Sequence, residues 1–257
     1  MDVILRAHQL VKSYGANRAV DGVDLNVRAG EAVALLGPNG AGKTTTLMMV
    51  LGVISPDSGW VEIGNRRLPS RRSEALQEVG FSAGYMPLAE RLKVREFLRM
   101  YGRFYGLRNP DARINRGLER FHIGHLADAM SARLSSGQRT LIGIVKATLH
   151  QPRLLVLDEP TASLDPDVAL RVRTGLLELS RDEGTALLIT SHDMVEIARL
   201  CERVVFLSRG RVIANDAPDV VAAEFGRDDL EGVFLHLADV ANGRSSMAPA
   251  PQETDRP

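Results

Sequence analysis

Apolar positions along this 257-residue chain alternate between two spacings, and the places where the spacing changes divide it into elements. Val3-Ile-Leu5 and the stretch Val20 to Val27 are β-rich, with Gly15 and Gly22 as turn signals between them. Glu31-Ala-Val-Ala-Leu-Leu36 reads as a buried strand that ends at Gly37, and beyond a glycine-rich turn the spacing from Thr44 to Leu51 becomes helical. From Leu88 to about Leu107, and again from Ala112 to Leu126, the period is helical, so the middle third predicts a helical insertion at about 85–150. Strand signals then return. Leu154-Leu-Val-Leu157 and Ala186-Leu-Leu-Ile-Thr190 are apolar throughout, as parallel strands covered on both faces must be, with Asp167 to Arg181 as the crossover helix between them. Val204-Val-Phe-Leu207 and Arg211-Val-Ile-Ala214, joined through Arg209-Gly210, predict a hairpin. Residues 241–257, rich in Ala, Pro, Ser and polar residues, predict a disordered tail, and no internal repeat is present.

Composition changes this picture little. Apolar residues make up 44% and charged ones 25%, ordinary for a globular chain long enough to bury a sizeable core. Thirty-two basic and thirty-two acidic residues cancel, which removes the basic footprint of a nucleic-acid binder, so no nucleic-acid partner is expected. The single cysteine, Cys201, has no partner for an internal disulfide and reads as a small buried hydrophobe. No apolar run approaches the roughly 18 residues needed to span a bilayer. Met1 to Val11 has neither a basic start nor a long apolar core. The expectation is a chain that neither crosses a membrane nor is exported, and that needs a partner to work at one.

The chemistry is concentrated in a few short stretches. Gly37-Pro-Asn-Gly-Ala-Gly42-Lys43-Thr44 satisfies the G-x-x-x-x-G-K-[ST] pattern and stands between a predicted strand and a predicted helix. Its glycines let backbone N–H groups wrap phosphate oxygens and the helix N-terminus adds positive potential. Lys43 neutralises the β and γ phosphates, and the Thr44 hydroxyl ligates Mg2+. Hydrolysis of ATP also needs a carboxylate for the metal and a base for water. Asp158, at the end of Leu154-Leu-Val-Leu-Asp158-Glu159, is placed for the first, and Glu159 for the second. Alone, such a pair could simply begin a turn. Leu134-Ser135-Ser136-Gly137-Gln138 opens a helix, so Ser135 and the Gly137 N–H can form a second anion-binding terminus, although by itself the segment is a helix cap.

Taken together, these stretches resemble the nucleotide-binding subunit of the ATP-binding-cassette (ABC) family over about residues 3–240. Gly37 to Thr45, including Pro38, Asn39, Gly40 and Ala41, are similar to its Walker A; Leu134 to Gln138 to its signature; Leu154 to Glu159 to its Walker B; and Ser163-Leu164-Asp165 to its D-loop. Tyr14 matches the aromatic that stacks on adenine, and His192 in Thr190-Ser-His-Asp193 the switch histidine. The resemblance implies an α/β fold: a P-loop NTPase (RecA-like) core with an N-terminal antiparallel β subdomain and an inserted α-helical subdomain, spanning 1–240. It further implies a head-to-tail dimer in which the Walker A of one copy and the signature of the other enclose ATP. Glu159 then activates water, His192 holds the γ-phosphate and that water in register, and Asp165 communicates across the dimer. The implied setting is the cytoplasmic face of a membrane, on a separate transmembrane permease.

The pattern also breaks. Alignment of Val79 to Gly84 puts Gly84 where the family has a glutamine that contacts Mg2+ and water and reports to the permease. Gln77 precedes the strand and reads as surface, and Tyr85 is the neighbour left to fill the gap. Ser136 replaces a glycine of the signature. Arg91, Arg95, Arg99 and Arg103 recur every four residues and predict a basic helix face, either solvated or met by an acidic partner. Val233-Phe-Leu-His-Leu237 resembles the terminus of ATPases of two-component ABC-2 exporters, which favours export over import. Two alternatives stand beside this reading. One is a soluble ABC protein acting on ribosomes or DNA, a group that usually has two cassettes or a long coiled coil. The other is a slowly hydrolysing regulator, which the missing glutamine permits.

Overall fold

The computed structural model describes residues 2–84, 87–162 and 164–241. Tyr85, Ser163 and the tail expected beyond Ala241 lie outside the described residues. In chain order the elements are strands β1 (Val3–Tyr14), β2 (Asn17–Arg28) and β3 (Ala32–Leu36), helix α1 (Lys43–Val50), β4 (Ser58–Ile63), β5 (Arg66–Arg67), α2 (Arg72–Leu76) and β6 (Val79–Ala83). Then come α3 (Val94–Phe104), α4 (Asp111–Arg120), two 3-10 turns (Gly124–Leu126 and Ser131–Arg133) and α5 (Ser136–Thr148). The chain continues with β7 (Leu154–Asp158), α6 (Pro166–Glu183), β8 (Ala186–Thr190), α7 (Met194–Leu200), β9 (Arg203–Ser208), β10 (Arg211–Asp216), α8 (Pro218–Glu224) and α9 (Leu230–Ala241).

The fully apolar strands pair with one another rather than with their neighbours in sequence. A six-stranded sheet has the order β10-β9-β3-β8-β7-β6, parallel except for the β9–β10 hairpin. Alternate residues of these strands feed two separate cores, because successive side chains of a strand point to opposite faces. Ala34, Leu36, Leu155, Leu157, Ile189 and Phe206 pack with α3 to α6 on one face. Val33, Leu35, Val156, Leu188, Val205 and Leu207 pack with α1 and the second sheet on the other. That second sheet is antiparallel, in the order β2-β1-β4-β5, and contributes Leu5, Leu10, Val27 and Val61. The result is the expected α/β architecture, with a helical segment, α3 to α5, between β6 and β7.

Three local expectations change. The N-terminal hairpin is longer than its apolar content suggested and turns at Gly15-Ala16, whereas Gly22 lies inside β2. Leu10 faces Val23 and Val11 faces Asp21, so Gly22, at φ 73°, is the extra residue of a β-bulge rather than a turn. Helix α3 starts at Val94 and not near Leu88. The Glu96 carboxylate caps back onto the Lys93 N–H (2.9 Å), and the Val94 and Arg95 N–H groups donate to the Ala129 and Ala127 carbonyls (3.0 and 2.9 Å), so the chain cannot enter the helix earlier. The arginine row is not a free stripe. Arg91 precedes the helix, Arg99 forms a forked pair with Asp111 of α4 (2.7 and 3.2 Å), and Arg95 donates to Asn115 (2.8 Å), so half of it ties α3 to α4. Cys201 is buried as expected, and burial pushes its thiol pKa far up. Among the described residues no helix is long and apolar enough to cross a membrane.

The helical segment is held to the core through a close contact. Gly175, in the middle of α6, faces the fully buried ring of Phe121 at the end of α4, and a Cβ there would lie closer than 3.0 Å to the ring. Gly175→Ala gains about 1 kcal/mol of helix propensity but overpacks a rigid ring, which costs about 1–3 kcal/mol. The overpacking wins, so chemical denaturation should show a lower midpoint for Gly175→Ala, and adding Phe121→Leu should recover part of the loss.

Candidate active site

The glycine-rich loop follows β3 because that strand must end where its flanking layers end. Gly37 has φ 143°, and a Cβ on it would lie closer than 3.0 Å to the Leu207 carbonyl of β9, so no other residue fits. The loop is then fixed by backbone bonds: the Ala41 N–H donates to Pro38 O (3.1 Å), and the Gly210 N–H of the β9–β10 turn donates to Ala41 O (3.0 Å). Helix α1 begins at Lys43 with Gly42 as its cap residue, which supplies no side-chain acceptor. Its first N–H groups are therefore available to an anion, and the helix end adds positive potential. Tyr14, Asn39, Gly40, Ala41, Gly42, Lys43, Thr44 and Thr45 together line a cavity of about 300 Å³. Tyr14, at the end of β1, presents an aromatic ring that is half exposed at its edge.

Lys43 folds over the loop and donates to the carbonyls of Gly37 (2.5 Å) and Pro38 (3.3 Å). Burial lowers its ammonium pKa from the ordinary lysine value, and the charges of Glu159 and Asp158 oppose that shift. Both carboxylates thus act on the loop lysine. Asp158 ends β7, and its Oδ1 accepts from the Thr190 hydroxyl at the end of β8 (2.5 Å). The next residue, Glu159, has a left-handed backbone (φ 53°), uncommon for a residue with a long side chain and found where the surroundings enforce it. Its N–H donates to the carbonyl (3.1 Å) and the hydroxyl (3.2 Å) of Thr190. The turn aims the Glu159 side chain at His192: Oε2 accepts from the His192 N–H (3.2 Å) and Oε1 lies 3.3 Å from His192 Nε2. Asp193 caps α7, accepting from the Glu196 N–H (3.0 Å).

The signature residues stand elsewhere in the chain. Ser135 and Gln138 form a reciprocal capping box at the start of α5 (3.0 and 3.2 Å). Gly137 is buried against Leu164 and Val168, and Ser136 is exposed and lines a groove with Gly84 and Arg139. Asp165 is the cap residue of α6, with Pro166 in the first helical position. Gln77 is exposed, as expected.

Gly84 is closer to the carboxylates than its lack of a side chain suggests. Its N–H donates to Asp158 O (2.8 Å), its carbonyl accepts from the Thr140 hydroxyl of α5 (3.1 Å), and a Cβ would lie closer than 3.0 Å to the Glu159 carbonyl. The left-handed turn at Glu159 swings that carbonyl into the space where a side chain would begin. Sequence reading missed this contact, the double role of Thr190, and the ring of Phe234, which meets His192 edge-on (centroids 6.0 Å apart, 83°). Thr190 and Phe234 lie inside stretches singled out for other residues, and only the fold brings them to the carboxylates. Placing a glutamine at this position should therefore harm this chain. Gly84→Ala and Gly84→Gln are each expected to lower unfolding free energy by about 1–3 kcal/mol and to slow ATP turnover. A Gly84→Gln protein as stable as its parent and faster in turnover would show that the carbonyl yields freely.

Comparison with known proteins identifies the family. The family model described as "ABC transporter" matches residues 20–162, more than half of the chain. "Nod factor export ATP-binding protein I" of Paraburkholderia xenovorans (strain LB400) is 36% identical over 247 residues, covering 95% of this chain and 80% of that protein. A solved ATP-binding subunit of an ABC transporter superposes with a TM-score of 0.82 at 29% identity, covering 91% of this chain and 99% of that one. CbiO1 of Clostridium perfringens, part of the ABC transporter complex CbiONQ, gives 0.79 at 27% identity, covering 94% and 98%. On these matches the chain belongs to the ABC transporter family, as an ATP-binding subunit whose hydrolysis of ATP powers transport.

Proposed function

We propose that the phosphate loop, Asp158, Glu159 and His192 are the hydrolytic half of the site, and that Ser135 to Gln138 of a second copy supply the other half. The observation that carries this is the convergence of the lysine, the carboxylate pair and the histidine: both carboxylates act on Lys43, and Glu159 holds His192 at two points. Tyr14 stacks on the adenine, and the loop N–H groups from Gly37 to Thr45 together with Lys43 hold the phosphates. Water attacks the γ-phosphorus in line. As the new P–O bond forms and the bond to the bridging oxygen breaks, the proton passes to the Glu159 carboxylate, and His192 keeps the water and γ-phosphate aligned. Lys43 offsets the charge that develops on the transferred group.

The donor set fits Mg2+. Among the described residues no cluster of three His, Cys, Asp or Glu side chains could hold a metal alone, whereas Mg2+ is bound by one or two protein oxygens plus substrate phosphates. Thr44 is exposed at the loop, and Asp158 commits one oxygen to Thr190. These two would hold the ion, which would supply neutralisation of the phosphate charge.

Within one chain Ser136 lines a groove apart from the phosphate cavity, which supports a head-to-tail pair of subunits, a homodimer in the simplest case. Asp165 at the head of α6 then meets the partner copy. We place the pair on the cytoplasmic face of a membrane, on a separate transmembrane permease, with no nucleic acid involved. The name of the Paraburkholderia relative supports export as the direction. A second reading, a slowly hydrolysing regulator, is favoured by Gly84 alone. ATP turnover of the chain with and without its membrane partner separates the two, since a transport engine accelerates when coupled. Glu159→Gln should lower turnover by about 10²- to 10⁴-fold while ATP remains bound, and Lys43→Ala should lose ATP binding in a filter or fluorescence assay. Undiminished turnover in Glu159→Gln would remove the glutamate from its role.

A further inference from the structure

His192 sits in a short connection between β8 and α7 whose backbone is well anchored. The Asp193 N–H donates to the Ser191 hydroxyl (3.0 Å), the Asp193 carboxylate caps α7, and the His192 N–H donates to Glu159. The imidazole itself is half exposed, so its two side-chain torsions are set by what touches the ring. The Glu159 carboxylate lies 3.3 Å from Nε2. The ring also meets Phe234 of α9 at 83°, the edge-to-face geometry that aromatic quadrupoles favour.

Helix α9 is built to present that ring. Leu230, Val233 and Leu237, spaced three and four apart, are buried and form its core-facing stripe. The N-terminal end is held by Asp229, whose carboxylate accepts from the Gly232 N–H (2.8 Å). Phe234, one position round from Val233, therefore stands on a fixed helix and lines a cavity of about 760 Å³ together with Glu159, His192, Val195, Glu231 and Leu235. Neighbouring Leu235 is 58% exposed, whereas Phe234 is partly buried: it packs against the core and also meets the histidine ring.

We propose that Phe234 is a positioning residue for hydrolysis: its ring holds the His192 imidazole against Glu159, so that α9 sets the fraction of molecules in which the glutamate–histidine pair is assembled. The proposal rests on the reading of Glu159 and His192 as the hydrolytic pair. An edge-to-face contact of this kind is worth roughly two- to tenfold in the population of the held conformer.

The test is steady-state ATP turnover of the full chain carrying Phe234→Leu, Phe234→Tyr, His192→Ala, or Phe234→Leu with His192→Ala, each with its melting temperature. Phe234→Leu keeps an apolar side chain but not the ring, and should lower kcat about two- to tenfold with the KM for ATP unchanged. Phe234→Tyr should retain turnover. In the His192→Ala background, Phe234→Leu should cost nothing further, because the group it holds is gone. This last result distinguishes positioning from general destabilisation, which lowers both backgrounds alike. Parental kcat in Phe234→Leu, or an equal loss with and without His192, overturns the assignment while leaving the hydrolytic pair intact. If His192→Ala itself turns over normally, the reading of the pair falls and the role of Phe234 falls with it.

Discussion

Burial of the six-stranded sheet on both faces constrains everything else. Inside strands such as β3 and β8 every side chain is enclosed, Ala32 to Leu36 in one case and Ala186 to Thr190 in the other, so polar chemistry has no place along their length. It appears where the strands stop. The phosphate loop leaves the end of β3, Asp158 ends β7 and Glu159 follows it, and Thr190 ends β8 with His192 two residues on. Because β3, β7 and β8 run parallel, these ends lie on the same edge of the sheet, where open α/β sheets place their ligands. The lysine, the carboxylates and the histidine converge because the apolar interior leaves them nowhere else to be.

Two close approaches then refine that edge. Thr190 accepts from the Glu159 N–H and donates to the Asp158 carboxylate, so one hydroxyl orients both acidic residues. The left-handed turn that results drives the Glu159 carbonyl against Gly84 on the neighbouring strand end. A glycine at that position is thus explained by the shape of its neighbour. The same logic holds at Gly37, where the carbonyl of Leu207 occupies the place of a side chain.

Much of this was readable in the amino-acid order. Continuous apolar runs such as Leu154 to Leu157 announce strands covered on two faces, and the loop ending in Gly42-Lys43-Thr44 carries its chemistry in adjacent residues. The misreadings share a cause: the decisive partner is distant in sequence. The entry to α3 is fixed by the carbonyls of Ala127 and Ala129, the arginine row by Asp111 and Asn115, and the bulge at Gly22 by its pairing with Leu10 and Val11. Periodicity reports only which face of an element is apolar. Nothing in the local pattern around Phe234 tells a ring that meets His192 from one that packs only against the core.

The contacts of Gly84 have a consequence for how the start of α5 is joined to the acidic pair within one chain. Its N–H is bonded to Asp158 O and its carbonyl to the Thr140 hydroxyl on the helix that Ser135 caps. A main-chain peptide therefore connects α5 to the acidic pair, with no ionisable group in that link. Such a connection is indifferent to salt and to proton concentration. Whatever reaches Glu159 along it arrives as displacement of the backbone and not as a change of charge.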